Sequence, residues 1–417
     1  MYGRPNLHTN YQSEAAILPT WTQRVTMALF VALLVLLPFQ VPVVNHIWIV
    51  RYLGDSDWLR LTTSALIFAI AALGLNLLTG IAGQVSLGHS FFMGVGAYAS
   101  VYLGGEANGP LWGHHLPIWI WLPGAGITAA LVGILIAPAA VRVRGLYLGI
   151  VTVGLVFIGI HLSRVFPEIA GQAEVGRDFP KLEFRWWRGD KAVISFDDDG
   201  HWLWFDVTDG QKTYLFVLAL LGVAVLVAKN ILRTRTGRAL QAIRDRDVAA
   251  EVMGVPEVRY KLIAFAISSF YAGIAGAILA ALAGRLNPEY WNLFLAVEFI
   301  AILLIGGAGT TAGVLMGTFF VVLLPDNIEN FVEWMSEKAS GSGVFAGFWD
   351  LFVSTGAKDF GFVSAGQIAP GFPLPASALD IVIYGALVVI FLLFEPRGLF
   401  GIWVKIRNYW KGWPFTY

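Results

Sequence analysis

Four stretches of this chain, Leu61 to Gly105, Ala107 to Val141, Leu262 to Gly284 and Phe299 to Pro325, contain no Asp, Glu, Lys or Arg. A helix needs roughly 20 apolar residues to cross the hydrocarbon core of a bilayer. The longer stretches therefore hold two crossings each, and the sequence predicts an all-α, polytopic transmembrane helical bundle. Only 13% of the 417 residues are charged, about half the share found in a soluble domain. There is no cysteine, which excludes a disulfide framework, a thiolate nucleophile and a Cys-ligated zinc.

Dividing the apolar runs at glycine, proline and charge predicts about 8–10 spans. The fullest division gives ten, near 25–44, 60–79, 88–104, 117–140, 145–163, 213–230, 261–283, 293–306, 310–325 and 377–395. Ten crossings put both ends on one side. Between Lys229 and Lys261 lie eight bases and four acids, and by the positive-inside rule that excess makes 229–260 a cytoplasmic loop. The tails 1–24 and 401–417 then fall on the same side, as do Arg142 and Arg144, in a cell inner (plasma) membrane. Ten acids and seven bases lie between Arg164 and Lys212, and six acids and two bases between Asp326 and Ala376. The alternation sends both extended segments, 165–212 and 326–376, outside, leaving 25–400 as the transmembrane domain. The first run, preceded by Arg4 and Arg24 and followed by no small-residue cleavage signature, reads as a retained span.

Two spans are shorter than a bilayer is thick. Residues 293–306 and 310–325 meet at Gly306-Gly307-Ala308-Gly309-Thr310-Thr311, as two tilted helices with a tight turn or as a re-entrant pair lining a buried cavity. A similar break, Gly80-Ile81-Ala82-Gly83-Gln84, follows Asn76. The pairs Gly145/Gly149, Ala272/Gly276 and Gly313/Gly317 have the spacing that lets helices approach closely. In the first outer segment Asp199-Gly200, set between aromatic runs, predicts a hairpin.

Gly-x-x-x-x-Gly-Lys-[Ser/Thr] does not occur, nor does any Gly-Lys dipeptide, so no phosphate-cradling loop is present and any ATP is hydrolysed by another chain. His-Glu-x-x-His is absent; His114-His115 reads as a solvated pair and Asp197-Asp198-Asp199 as a solvated turn, with no metal or cofactor expected. Polar groups inside the bilayer are few: Asn76, Gln84, His89 and Glu298. An ionised group at the bilayer centre costs about 2.5–3.5 kcal/mol, so such residues face the bundle interior or a cavity. Glu298 either pairs with a neighbouring helix or lines a pathway. Gln84 and His89 flank a glycine break, where they act as helix-end caps or as ligand contacts. With Gly307 and Gly309 of the second break, these residues form the candidate translocation set.

In the basic loop, Gly237 to Arg244 is strongly helix-forming, and Gly254 followed by Pro256 ends that helix. It is either an ordinary solvated loop that anchors topology or, with small Ala249 and Ala250 before the cap, a helix shaped to enter a groove on a partner. Here the sequence resembles a family. Val248-Ala249-Ala250-x-x-x-Gly254 resembles the Glu-Ala-Ala-x-x-x-Gly coupling segment of ABC importer permeases. Gly74 to Tyr98, Val143-Arg144-Gly145-Leu146-Tyr147-Leu148, Ala296-Val297-Glu298 to Thr310, and Phe394-Glu395-Pro396-Arg397-Gly398-Leu399 resemble the LivM-type permease of branched-chain amino acid importers. The likeness runs in order through most of 60–400. It departs at Val248, where the general motif has Glu, and in the long outer segments.

The resemblance implies a transport subunit with no catalytic residues, working with a second, LivH-like permease chain, two cytoplasmic ATPases and an extracytoplasmic substrate-binding protein, and no nucleic acid. The ATPases would dock on residues about 235–256, with Arg238, Arg244, Asp247, Ala249, Ala250, Glu251 and Gly254 as coupling residues. The cargo implied is a branched-chain amino acid. A urea or short-amide ABC permease is the near rival, and an ATP-independent secondary transporter with Glu298 as its ion site is the more distant one.

Overall fold

The computed structural model describes residues 21–39, 56–107, 111–143, 145–171, 176–179, 182–187, 192–196, 200–202, 205–340, 353–354, 363–364 and 374–412. The expectations placed on most of the 1–24 tail, on Arg144, on Asp197 to Asp199 and on most of 341–373 lie outside those residues.

Each expected span has a helix. These are α1 (Trp21–Leu36), α2 (Ser56–Leu75, continued by a π-helical segment, Asn76–Ile81), α3 (His89–Gly104), α4 (Ile118–Arg142) and α5 (Leu146–Val165). Then follow α6 (Asp209–Arg233), the polar α7 (Arg235–Val252), α8 (Glu257–Ala283), α9 (Leu293–Gly306), α10 (Thr311–Ser340), α11 (Ala376–Phe394) and α12 (Gly398–Gly412). Among the described residues seven helices are long and apolar enough to cross a membrane. The shorter apolar helices α3, with 16 residues, and α9, with 14, pack among them. The protein is a multi-pass, all-α membrane bundle.

Helix α2 forms its centre because it is apolar on every face. Leu66, Ile67, Ile70, Leu73 and Leu75, with Ala65, Ala69 and Ala72, point in all directions around it and each is buried, the mark of a helix with no solvent or lipid side. It packs on α6, α8 and α10, while α8 packs along α4, α3 and α2. Lipid offers these helices no hydrophobic drive, so close backbone approach has to hold them. A side chain at Gly276 would run into the backbone of Met93 on α3, and one at Gly273 would come within 2.7 Å of the Ala125 carbonyl on α4. Gly313 and Gly317 play the same part for α9 and α10, since a Cβ on Gly306 would lie 3.0 Å from Gly317 Cα. Gly145/Gly149 departs from its expected role. Gly145 precedes α5 with φ 62°, and a Cβ on Gly149 meets only the Leu87 and Val85 side chains.

Two boundaries differ from the sequence reading. Pro325 does not end its helix: α10 runs on through Ser340, so 310–325 is part of a full-length span and the segment expected outside, 326–376, begins as helix. A proline removes one intrahelical donor, and the turns on either side carry enough bonds to continue past it. In the polar segment 165–212 the strands are β1 (Arg177–Asp178), β2 (Glu183–Phe184), β3 (Ile194–Ser195), β4 (Gly200–Trp202) and β5 (Phe205–Val207). β4 pairs antiparallel with β5, Gly200 opposite Val207, so Gly200 opens a strand and does not serve as the hairpin turn. β1 pairs with β6 (Arg285–Leu286), tying this segment to the loop after α8.

Candidate functional site at the arginine-rich end

The two glycine breaks, 233 residues apart in the hydrogen bond that joins them, meet at one end of the bundle. At the end of α2 the helix widens into its π segment and stops, with Ala82 N–H donating to the Leu77 carbonyl at 3.1 Å and Gly83 at φ 69°. The turn between α9 and α10 needs Gly307 at φ 109° and Gly309 at φ 88°, conformations that L side chains rarely adopt. Asn76, 1% exposed, accepts a hydrogen bond from the Gly309 N–H at 2.7 Å through its Oδ1. Gly80 makes this possible, because a Cβ there would overlap Asn76 Oδ1 and sit 2.6 Å from the Gly309 nitrogen. Thr310 caps the start of α10, its Oγ1 accepting from Gly313 N–H at 3.1 Å. Breaks in helices inside a membrane survive only where their backbone groups are satisfied by protein. Asn76 supplies that satisfaction for the Gly309 N–H of the second break and so ties the two breaks together.

Arg244, on α7, completes the junction. Its Nη1 donates to the Gly80 carbonyl, and its stem lies over Gly83, where a Cβ would be 3.0 Å from Arg244 Cγ. A cation at the C-terminal end of a helix also meets the negative end of the helix dipole. From the other side, the Pro396-Arg397-Gly398 turn fits against the same glycine turn, with Gly398 at φ 62° and no room for a Cβ beside Gly307 N. Glu395 accepts an ion-pair hydrogen bond from Lys405. A polar cavity of about 280 Å³ lies beside the junction, lined by Gly83, Gln84, Arg244, Asp245, Asp247 and Lys261 among others. Lys261 is buried and pairs with Glu257 at 2.5 Å.

α7 is two helical pieces. Arg246 leaves the helical region (φ −156°, ψ 97°), so the single helix expected from the sequence is bent in its middle. It ends as expected at Gly254, φ 85°: Val255 N–H reaches the Ala250 carbonyl at 3.0 Å and Gly254 N–H the Glu251 carbonyl at 2.9 Å. That pair of bonds is the Schellman cap. Its two faces differ sharply in burial. Ala250, expected to enter a partner's groove, is buried in this chain, along with Leu240 and Ile243. Arg244 turns inward to Gly80. The outward surface of the second piece is Val248, Ala249, Val252 and Met253, the last two each 83% exposed. Arg238, half a helix away, donates to the Arg233 carbonyl, Asp247 accepts from Val248 N–H at 2.8 Å, and Glu251 is exposed.

Of the expected translocation set, Asn76, Gly307 and Gly309 belong to the junction, and Gln84 borders the polar cavity with its amide donating to Ala82. The other two residues lie elsewhere. His89, 1% exposed, bonds through Nε2 to the Ala71 carbonyl at 2.8 Å and packs edge-on against Phe299 at 5.2 Å, which makes it a brace between α2, α3 and α9. Glu298 is half-buried next to Phe299. None of the six lines the apolar cavity of about 430 Å³ between α3, α4 and α5. Sequence reasoning missed the inward role of Arg244; its one visible signal was an arginine at the centre of a helix whose neighbours Leu240 and Ile243 are core residues.

The model of the family described as "Branched-chain amino acid transport system / permease component" matches residues 58–392. The chain belongs to that permease family. It is 31% identical over 296 residues to the high-affinity branched-chain amino acid transport system permease protein LivM of Escherichia coli, covering 69% of this chain and 68% of that one. LivM of Salmonella typhimurium is 30% identical over 303 residues, with the same coverage. The probable branched-chain amino acid transport permease protein LivH of Methanocaldococcus jannaschii is 22% identical over 234 residues, 54% of this chain and 66% of that one. No solved structure matches the chain. The matched region of this permease contains the whole junction except its flanking turn at Pro396 to Gly398.

Proposed function

We propose that this permease subunit carries branched-chain amino acids in an ABC importer, paired with a LivH-like permease, driven by two cytoplasmic ATPases and supplied by an extracytoplasmic binding protein. One observation carries the reading: Arg244 links the outward-facing helix α7 directly to the helix breaks at Gly80 and, through Asn76, at Gly309. An ATPase pressing on Val248, Ala249, Val252 and Met253 moves the second piece of α7 about the bend at Arg246. Arg244, just before that bend, passes the movement to the ends of α2 and α9. Ligand-driven change of this kind requires a bistable element contacted differently in the two states, and a bent helix held by single bonds meets that description. The positive-inside excess of 229–260 supports a cytoplasmic position for this end.

The test is uptake by proteoliposomes holding the assembled importer. Val252→Arg combined with Met253→Glu on the outward face is expected to abolish ATP-dependent leucine uptake while the chain still inserts. Normal uptake by that variant refutes the docking face. Uptake by this chain alone, without nucleotide, refutes the importer reading, and saturable uptake of urea in place of leucine moves the assignment to the short-amide permeases.

A further inference from the structure

Helix α12 has an apolar face that no other element among the described residues covers. Its residues Ile402, Trp403, Ile406, Tyr409 and Trp410 recur at helical spacing along one side, and all five are exposed, Ile406 at 47% and Trp410 at 66%. The opposite side touches protein: Phe400 and Val404 are half-buried and Gly401 is buried, where α12 meets α9 and α10. Lys405 and Arg407 fall on either border of the apolar stripe, with Lys411 beyond Arg407. From Pro396 to Tyr417 the sequence has no Asp or Glu.

We propose that α12 lies on the bilayer surface at the arginine-rich end, with this stripe sunk among the acyl chains and its cations on anionic lipid headgroups. Three observations favour lipid over a protein occupant. The helix follows the span α11 after a turn of only Glu395 to Arg397, so it starts at the membrane boundary. Its exposed face joins aliphatic residues to two tryptophans and a tyrosine, the residues that settle at the headgroup level. Its charge is of one sign and borders the apolar stripe, the arrangement of an interfacial helix that reads anionic lipid. A protein groove would be expected to meet a face whose rim carries both signs.

The position adds a consequence. Gly398, the first residue of α12, is wedged against Ile305 and Gly307, and Lys405 pairs with Glu395. A helix held by lipid is therefore in contact with the turn that Asn76 caps.

The chain's lack of cysteine allows single nitroxide labels at Ile402→Cys, Ile406→Cys and Trp410→Cys, with Asn408→Cys on the other side of the helix as reference. Full-length protein assembled with its partners is placed in phosphatidylcholine vesicles with and without phosphatidylglycerol, and accessibility to oxygen and to a nickel chelate is compared. The expected result is oxygen preference at 402, 406 and 410, nickel preference at 408, and loss of that contrast when phosphatidylglycerol is left out or Lys405→Gln, Arg407→Gln and Lys411→Gln are combined. Nickel access at all four positions overturns the proposal in favour of a solvated helix. Labels immobile and closed to both reagents overturn it in favour of a protein partner. Immersion indifferent to phosphatidylglycerol and to the three substitutions overturns the anionic-lipid part.

Discussion

The two ends of the bundle both use a buried or inward-turned arginine to satisfy backbone carbonyls, and they use it in opposite ways. At the strand-bearing end Arg177, 4% exposed, donates to the carbonyls of Ile169 at 3.0 Å and Trp112 at 2.8 Å, with Glu106 and Glu168 within 3.5 Å. Burial pulls its pKa below the ordinary arginine value. Around it β1 pairs with β6, and Arg285 bridges to Asp178 at 2.9 Å. At the other end, among the described residues, Arg244 makes one hydrogen bond, to Gly80, and Asn76 makes one, to Gly309. A node with four acceptors resists movement because losing one bond leaves three. A node with a single bond between moving pieces can be broken and remade. The first end is the more strongly braced, and on the proposed coupling role the second is the one that would switch.

Substitutions can break or sharpen that contrast. The largest effect is expected from Gly276→Leu, which drives a side chain into the Met93 backbone between the two ends; no monodisperse protein should be recovered after detergent extraction, and normal recovery would show that α3 and α8 can separate without loss. Arg244→Ala removes one charge-assisted hydrogen bond, and at a partly solvated position its lower range, about 1.5 kcal/mol, corresponds to about a tenfold change in the balance of states. ATP-dependent uptake should fall by roughly that factor while the unfolding midpoint hardly moves. Arg177→Met should do the reverse, lowering stability by about 2 kcal/mol in a denaturant titration through the carbonyls it leaves unsatisfied, with uptake per folded molecule unchanged. If both arginine variants lose stability and keep their transport per molecule, the distinction between the ends disappears. The smallest effect is expected from Gly149→Ala, whose Cβ meets only side chains at 3.3 Å or more: within about 0.5 kcal/mol of the parent.

How much of this was visible in the sequence depends on the range of the interaction. The uncharged runs reported the spans, because lipid demands apolar length whatever the tertiary contacts. The cap at Gly254 was legible too, since glycine and proline act on their own backbone. Gly145/Gly149 and Ala272/Gly276 look alike as spacings, yet only the second pair lies between packed helices; what a small residue meets is decided by another part of the chain. Ala250 misled for the same reason. Its size suited a groove, and the groove turned out to belong to this protein. Asn76 and Gly309 were each marked as unusual, one polar in an apolar run and one in a glycine turn. Nothing local could pair them across 233 residues. The kink at Arg246 carries no glycine or proline to mark it; only the weak helix formers Asp245, Asp247 and Val248 surround it.

The bond from Asn76 to Gly309 has one more implication. It staples the interrupted end of α2 to the corner between α9 and α10, so those two pieces travel as a unit for as long as the bond holds. On the proposed importer reading, a gate at this end would either break that bond or open beside the seam, where Gln84, Lys261 and Arg244 line a polar hollow of about 280 Å³.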